Sequence, residues 1–492
     1  MKKFIISLIV LSTAVIGCST DLDTNRDPDF LDPASAPLSA QLPAGITGIA
    51  GPEGAAYAII GGFWSQYWTQ SNTANQYKDI DNYSITTADY NYAWDGMYDA
   101  LGDIRNVKRR ALAEGNWKYY LIATTLEVQA SQVLTDFYGA IPYTEANRTP
   151  DILEPSFDSG EEVYDHMIAD LNDALAKDLS TSTGSSPAKD DLIFFGDMDK
   201  WTQFANTLKL KVYMRQTNSS RAAIANAGIT ALLGSGVTFL TTDAGLITAA
   251  DPTIPFFKDE VNQSNPLYEY NNRKLNVATN LRMSTTLSSF LITNGDARKD
   301  QYYLAGNALN QGDYNSTAGN IAVVNTLPTT PLYFMSAEES YFLQAEAMER
   351  YNGGVGAKAL YDAGVAANFA KYKDASGNPL SATALLAGAY AYPVAGTFDQ
   401  KLEAIITQKW VASFPGNGFE AFFEQNRTGY PLISAVPQSN AGYVPGQWAY
   451  SVNGSTGNLF PRRLAYPLSE RNANPKAPAL IPITTPVWWD NL

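Results

Sequence analysis

From Trp117 to Phe137 the apolar residues Ile122, Leu126, Ala130, Val133 and Phe137 recur at steps of three and four. That period lines one face of an amphipathic helix, which Gly139 and Pro142 end. Trp201, Phe204, Leu208 and Val212 keep the same step and predict a second helix over Trp201 to Arg215. Three further helices announce their first turn with a hydroxyl and, three residues on, a Glu or Gln, a pairing that satisfies free N–H groups reciprocally. These are Ser159 with Glu162, Ser336 with Glu339, and Thr397 with Gln400. Behind Ser159 runs the stripe Val163, Met167, Leu171 and Leu175; behind Ser336 come Phe342, Ala345 and Met348. Gly353-Gly354 then turn the chain into an Ala-rich helix from Ala357 to about Lys371, giving one hairpin of the tetratricopeptide type.

Residues 18–56, 70–92, 236–280, 305–334 and 428–492 show no sustained period and concentrate Pro, Gly, Asn and Ser. Loops of such length carry function or cover a surface. Helical signals and loop-rich tracts alternate to the end without a boundary. The expected fold is therefore mainly α, with tetratricopeptide-like helical hairpins packed against a loop-rich, irregular part, all in a single body.

Composition narrows the chemistry. The chain has 492 residues and one cysteine, so its core must rest on packing, which a chain this long supplies without disulfides. A net charge of -15 opposes general affinity for nucleic acid or anionic lipid. With His166 the only histidine, no His/Cys zinc cluster and no cysteine–histidine nucleophile can be assembled. No Gly-x-Ser-x-Gly elbow or phosphate loop stands out, and no ordered loop motif supports calcium. The expectation is no catalytic residues, no metal and no cofactor.

Cys18 follows Val15-Ile16-Gly17 at the end of an apolar run that begins at Phe4 behind Lys2-Lys3. A positive start, a run too short to span a membrane and small residues before the cut describe an export signal over residues 1–17. A cysteine at the cut resembles the lipobox of bacterial lipoproteins, in which Cys18 carries the lipid and becomes the mature N-terminus. Removing Lys2 and Lys3 makes the mature chain more acidic still. The run Asp21-Leu22-Asp23 on to Asp27-Pro28-Asp29 lies in a flexible acidic tether over residues 18–40 and resembles tags that send Bacteroidetes lipoproteins to the cell exterior. Residues 18–492 form the mature body.

The last third carries the most specific pattern. Gln408-Lys409-Trp410-Val411-Ala412, then Glu420-Ala421-Phe422-Phe423-Glu424-Gln425-Asn426-Arg427-Thr428-Gly429-Tyr430-Pro431, then Phe460-Pro461-Arg462-Arg463-Leu464-Ala465-Tyr466-Pro467-Leu468-Ser469-Glu470 resemble, in order and spacing, the signature run of SusD/RagB-type outer-membrane nutrient-binding lipoproteins. Thr135 through Ala146, Asn265-Pro266, Asp296-Ala297-Arg298 and Glu338 through Ala347 are similar to the same family. The resemblance implies a lid on a SusC-like TonB-dependent outer-membrane transporter, anchored by the lipid on Cys18 and facing the exterior. It would capture oligosaccharides, or alternatively oligopeptides, and would break no bond.

Read physically, Arg427, Arg462 and Arg463 with Glu420, Glu424 and Glu470 suit ion pairs that pin loops to helices. Glu420 and Glu424, one helical turn apart, are also the carboxylate pair that an α-helical glycan-cleaving enzyme would need to set across a cleft. A protein-binding tetratricopeptide scaffold is the other alternative.

Aromatic residues make up 12% of the chain, densest at Trp64, Tyr67, Trp68, Tyr77, Tyr83, Tyr90, Tyr92 and Trp94. Tyr and Trp join a flat apolar face to a polar edge, which suits stacking on sugar rings. Trp64 and Trp94 keep helical spacing and are expected in the core. Tyr77, Tyr83 and Tyr90 lie between the helical pieces and are expected to form an exposed platform, with Trp68 beside them. The tract with Phe257, Tyr268, Tyr270 and Arg273 is expected to close over the same ligand.

Overall fold

The computed structural model describes residues 36–275 and 279–491. Cys18, the export signal and residues 18–35 of the tether lie outside the described residues. From residue 38 onward the chain is one compact body.

Helices dominate it: α1 (Leu38–Pro52), α2 (Ala58–Trp64), α3 (Asn91–Glu114), α4 (Trp117–Tyr138), α5 (Gly160–Leu175), α6 (Met198–Arg215), α7 (Ala222–Gly234), α8 (Thr285–Thr293), α9 (Ala337–Tyr351), α10 (Ala357–Ala370), α11 (Phe398–Ala412) and α12 (Gly418–Thr428). Strands are short. β1 (Trp68–Gln70) pairs antiparallel with β3 (Leu281–Met283), and β2 (Ala244–Leu246) with β4 (Leu332–Met335). Among the described residues no helix is long and apolar enough to cross a membrane.

The capping signals work as the spacing predicts at α5 and α11. Ser159 accepts from the Glu162 amide while Glu162 accepts from the Ser159 amide, and Thr397 and Gln400 do the same. At α9 only Ser336 makes its half, because the Glu339 carboxylate turns inward to Lys211, 3.2 Å away. The hairpin α9–α10 turns through Gly353 and Gly354, both at positive φ. Phe342, Ala345, Tyr361, Val365 and Phe369 bury between it and α11.

α1 departs from the expectation of an aperiodic stretch to residue 56 and begins inside the predicted tether. Leu38, Leu42, Ile46 and Ile49 do recur at steps of four and three and are buried. Three glycines and two prolines within the helix hide the period. Gly45 and Gly48 let α1 settle on α3, since a Cβ at either would meet Ile104 or Ala100. Glu53–Tyr57 follows as a π turn.

A buried ion network ties five helices together. Arg215 donates to Asp136 (3.0 Å), Glu424 (2.8 Å) and Glu420 (2.6 Å). Arg427 donates to both oxygens of Glu346 at 2.7 Å and to Glu424 at 2.9 Å, and Lys409 reaches Glu424 at 3.2 Å. Burial pushes the Glu424 carboxyl up, but Arg427, Lys409 and Arg215 outweigh it and hold the group well below the usual carboxylate range. Such pairing offsets the desolvation of each charge, and removing one partner strands the others. The loop-rich tail joins the same core: Arg462 pairs with Asp490, Arg463 donates to the Tyr138 carbonyl, and Trp489 donates to Asp136 at 2.8 Å. Glu470 holds Asn474 at 2.9 Å instead of an arginine.

Candidate functional site

The expected platform divides on burial. Trp68, Tyr77 and Tyr83 are core residues, with 0%, 2% and 3% of their surface exposed. This corrects the expectation of exposure, and the reason is local. Trp68 lies against Gly62, where a Cβ would strike its ring, and its indole donates to the Ile59 carbonyl. The Tyr77 amide donates to Gln70 (2.6 Å) and its hydroxyl to Asn271 (3.3 Å), drawing the ring inward. Tyr83 packs edge-on to Tyr450 at 5.4 Å and against Phe460. Trp64 and Trp94 are buried, as their spacing predicts.

Tyr90, half-buried, stays at the surface and stands immediately before α3 with φ of 56°. A bulky residue in the left-handed region is an outlier held by its surroundings. Its ring tilts against Tyr92 at 6.2 Å, and Tyr92, 42% exposed, stacks on Tyr270 at 5.7 Å with planes 21° apart. Tyr92 belongs to the aromatic tract but is not among the expected ligand contacts; it stands in the first turn of α3, where no local spacing separates a cleft residue from a helix surface residue.

Tyr270 is presented by a helical segment of unusual geometry. Asn265 accepts from the amides of Leu267 (2.9 Å) and Tyr268 (3.4 Å), so it caps the turn Pro266–Tyr268, with proline at the first position. The chain then widens into a π turn, Glu269–Lys274. π turns concentrate at functional sites. This one and the Glu53–Tyr57 turn both contribute to the wall of a cleft of about 400 Å³, lined by Tyr92, Tyr270, Ala55, Asn262, Glu269 and Lys274. Gly51 joins this cleft to a second of about 430 Å³, lined by Phe256, Phe257, Leu246 and Gln263. A Cβ on Gly51 would meet nothing within 4 Å.

Arg273 is engaged as a strut. It donates to Ser264 at 2.9 Å, pairs with Asp259 and with Glu269 at 3.4 Å, and lies 5.4 Å from the Tyr268 ring. It fixes the loop over residues 259–264 to the π turn. Phe257 is buried behind the half-buried Phe256, their rings perpendicular at 5.1 Å. Of the expected contacts, the structure places Tyr270 in the lining of the tyrosine cleft and Phe257 in that of the next; Tyr90 touches the cleft only through Tyr92, Tyr268 and Arg273 pack on each other outside the lining, and Trp68, Tyr77 and Tyr83 lie in the core.

Glu420 and Glu424 face no cleft; both are buried within the ion network, with every carboxylate paired to a fixed cation. Among the described residues no group of three or more His, Cys, Asp or Glu is placed to hold a metal.

Residues 50–467 match the model of the family SusD-like_2, described as starch-binding, associating with outer membrane. Solved structures share the fold. A SusD homologue from Bacteroides uniformis is 22% identical over 92% of this chain and 99% of its own, with a TM-score of 0.68. A chitin-binding SusD homologue from Flavobacterium johnsoniae is 22% identical over 91% and 98%, with a TM-score of 0.70. A SusD/RagB family protein from Bacteroides thetaiotaomicron is 19% identical over 93% and 99%, with a TM-score of 0.71. No curated protein matches the chain.

Proposed function

The chain belongs to the SusD-like family of nutrient-binding outer-membrane proteins, and from that premise we propose that it captures an oligosaccharide in the cleft lined by the stacked rings of Tyr92 and Tyr270. It holds the sugar at the cell surface through a lipid on Cys18 and delivers it to a SusC-like TonB-dependent transporter, for which it acts as lid. The observation that carries this reading is the Tyr92–Tyr270 stack in the lining of a cleft that Asn262, Glu269 and Lys274 share. Flat rings rimmed by hydrogen-bonding groups suit a pyranose, which has an apolar face and an equatorial belt of hydroxyls. A chitin-binding relative of the same fold supports a saccharide over a peptide.

The test is retention of the mature protein, with Cys18 replaced, in gels containing starch or chitin, beside a Tyr92→Ala/Tyr270→Ala variant. Retention in one polymer that the variant loses supports the assignment. Binding to peptide pools alone, unaffected by the variant, contradicts it. Copurification of a TonB-dependent barrel from native outer membranes tests the partner.

A further inference from the structure

Behind the wall of the tyrosine cleft lies a separate opening of about 450 Å³. One side is the chain over residues 325–333, the other is the end of α10 with Lys371 to Lys373, and the floor is Phe414-Pro415. Residues 51–55 and 264–267 divide the two openings. Pro52, Ala55, Ser264 and Pro266 face the tyrosine side, while Glu53, Gly54, Asn265 and Leu267 line a small chamber of about 40 Å³. That chamber shares Thr330, Pro331, Tyr333, Glu338 and Phe414 with the larger opening and forms its inner end.

We propose that this opening is a second saccharide site, taking one neutral, hydroxyl-rich ring of the polymer that the tyrosine cleft engages. The proposal rests on the saccharide reading above. Its surface repeats the same logic: half-buried Tyr333, Tyr372 and Pro415 offer flat apolar faces. The side chains of Gln301, Thr329 and Lys373 make no hydrogen bond or ion pair within the described residues and are available to hydroxyls.

The half-buried cation of the lining is already neutralised and adds no pull on an acidic ligand, which leaves exposed Lys373 as the unpaired charge of the lining. Lys371 is committed to Asp243 and Glu338, both at 2.9 Å, and its ammonium sits 3.8 Å from the centre of the Tyr333 ring.

The chamber adds an independent sign of an absent partner. Glu53 is 2% exposed, and its Oε1 has no hydrogen-bond partner while Oε2 accepts only from Gln129 at 3.5 Å. Burial pushes this carboxyl up to about 8 despite nearby Lys211, so at neutral pH it is a neutral acid able to donate one hydrogen bond and accept another. A buried polar atom without a partner is costly, and a hydroxyl, or a water held beneath the ring, would satisfy it.

Crystals of the mature protein soaked in concentrated glucose, and separately in N-acetylglucosamine, test the site directly. The expected result is a ring against Tyr333 and Pro415 in one of the two soaks. In solution, Thr329→Trp plugs the opening away from the tyrosine cleft. Added to Tyr92→Ala/Tyr270→Ala, it should cut the residual retention on starch or chitin by about a further tenfold, the scale on which a second linked contact acts. An opening empty in both soaks, or residual retention that Thr329→Trp leaves unchanged, overturns the second site alone. A wild-type protein that retains neither polymer overturns both saccharide readings.

Discussion

Single residues separate binding from stability. Tyr77 and Tyr92 are both tyrosines of one aromatic tract, yet one is sealed against Asn271 and the other stands in the cleft. Tyr77→Ala or Tyr83→Ala should cost about 3–5 kcal/mol in urea unfolding, as expected for emptying a buried ring site. Tyr92→Ala should leave unfolding within about 0.5 kcal/mol and weaken ligand binding several-fold. Glu53 gives a pH prediction. Its folded carboxyl titrates near 8 and its unfolded one near 4.5. Between those values the unfolded chain releases a proton that the folded chain keeps, so this group's contribution to stability is fullest below about pH 4.5, falls as pH rises, and is gone above about 8. The loss is on the order of 4 kcal/mol, and Glu53→Gln should flatten that part of the profile in denaturation followed from pH 5 to pH 8.5. The sequence made the distinction between these tyrosines illegible because lack of period is not exposure. Within residues 70–92 single rings turn inward on distant partners, Tyr77 to Asn271 and Tyr83 to Tyr450, contacts remote enough in the chain to leave no local pattern.

At the scale of elements, stripes and caps were readable wherever a helix keeps one face to the core. The stripe of α4 and the reciprocal caps of α5 and α11 lie where spacing puts them. α1 was hidden because it meets its neighbour through glycines and alanines, which carry little hydrophobic signal. The same device joins α2 to α12. A Cβ on Gly61 would come 2.1 Å from the Phe419 amide nitrogen, and one on Gly418 would come 2.7 Å from that of Gly62. Gly61→Ala must push the two helices apart, and a loss of about 1–3 kcal/mol is expected from thermal or urea unfolding. The ion network beside this crossing answers differently. Arg215→Met leaves Asp136, Glu420 and Glu424 without their shared cation, and a loss of about 3–5 kcal/mol is expected in the same assay.

For the whole molecule, the proposed function makes the helical frame the mount and gives recognition to the loops. The π turns at residues 53–57 and 269–274 set two walls of the tyrosine cleft from distant parts of the chain, so the cleft exists only in the folded body. This is why the family and the fold were legible while half of the proposed platform was not: the scaffold is written in local repeats, and the site in contacts between loops some 180 residues apart. A net charge of -15 makes the body acidic, yet a neutral glycan held by stacking gains nothing from that field. Its affinity should change by less than about twofold between roughly 0.05 and 0.5 M salt, where an ion-paired ligand would weaken steeply.

Isothermal titration of the mature protein and its Tyr92→Ala/Tyr270→Ala variant, with oligosaccharides of the retained polymer, tests the central claim most directly. The account predicts saturable binding by the wild type and a loss of at least about tenfold in the variant, with circular dichroism and melting temperature unchanged. Equal affinity in the two proteins would contradict it and move the ligand away from the tyrosine cleft.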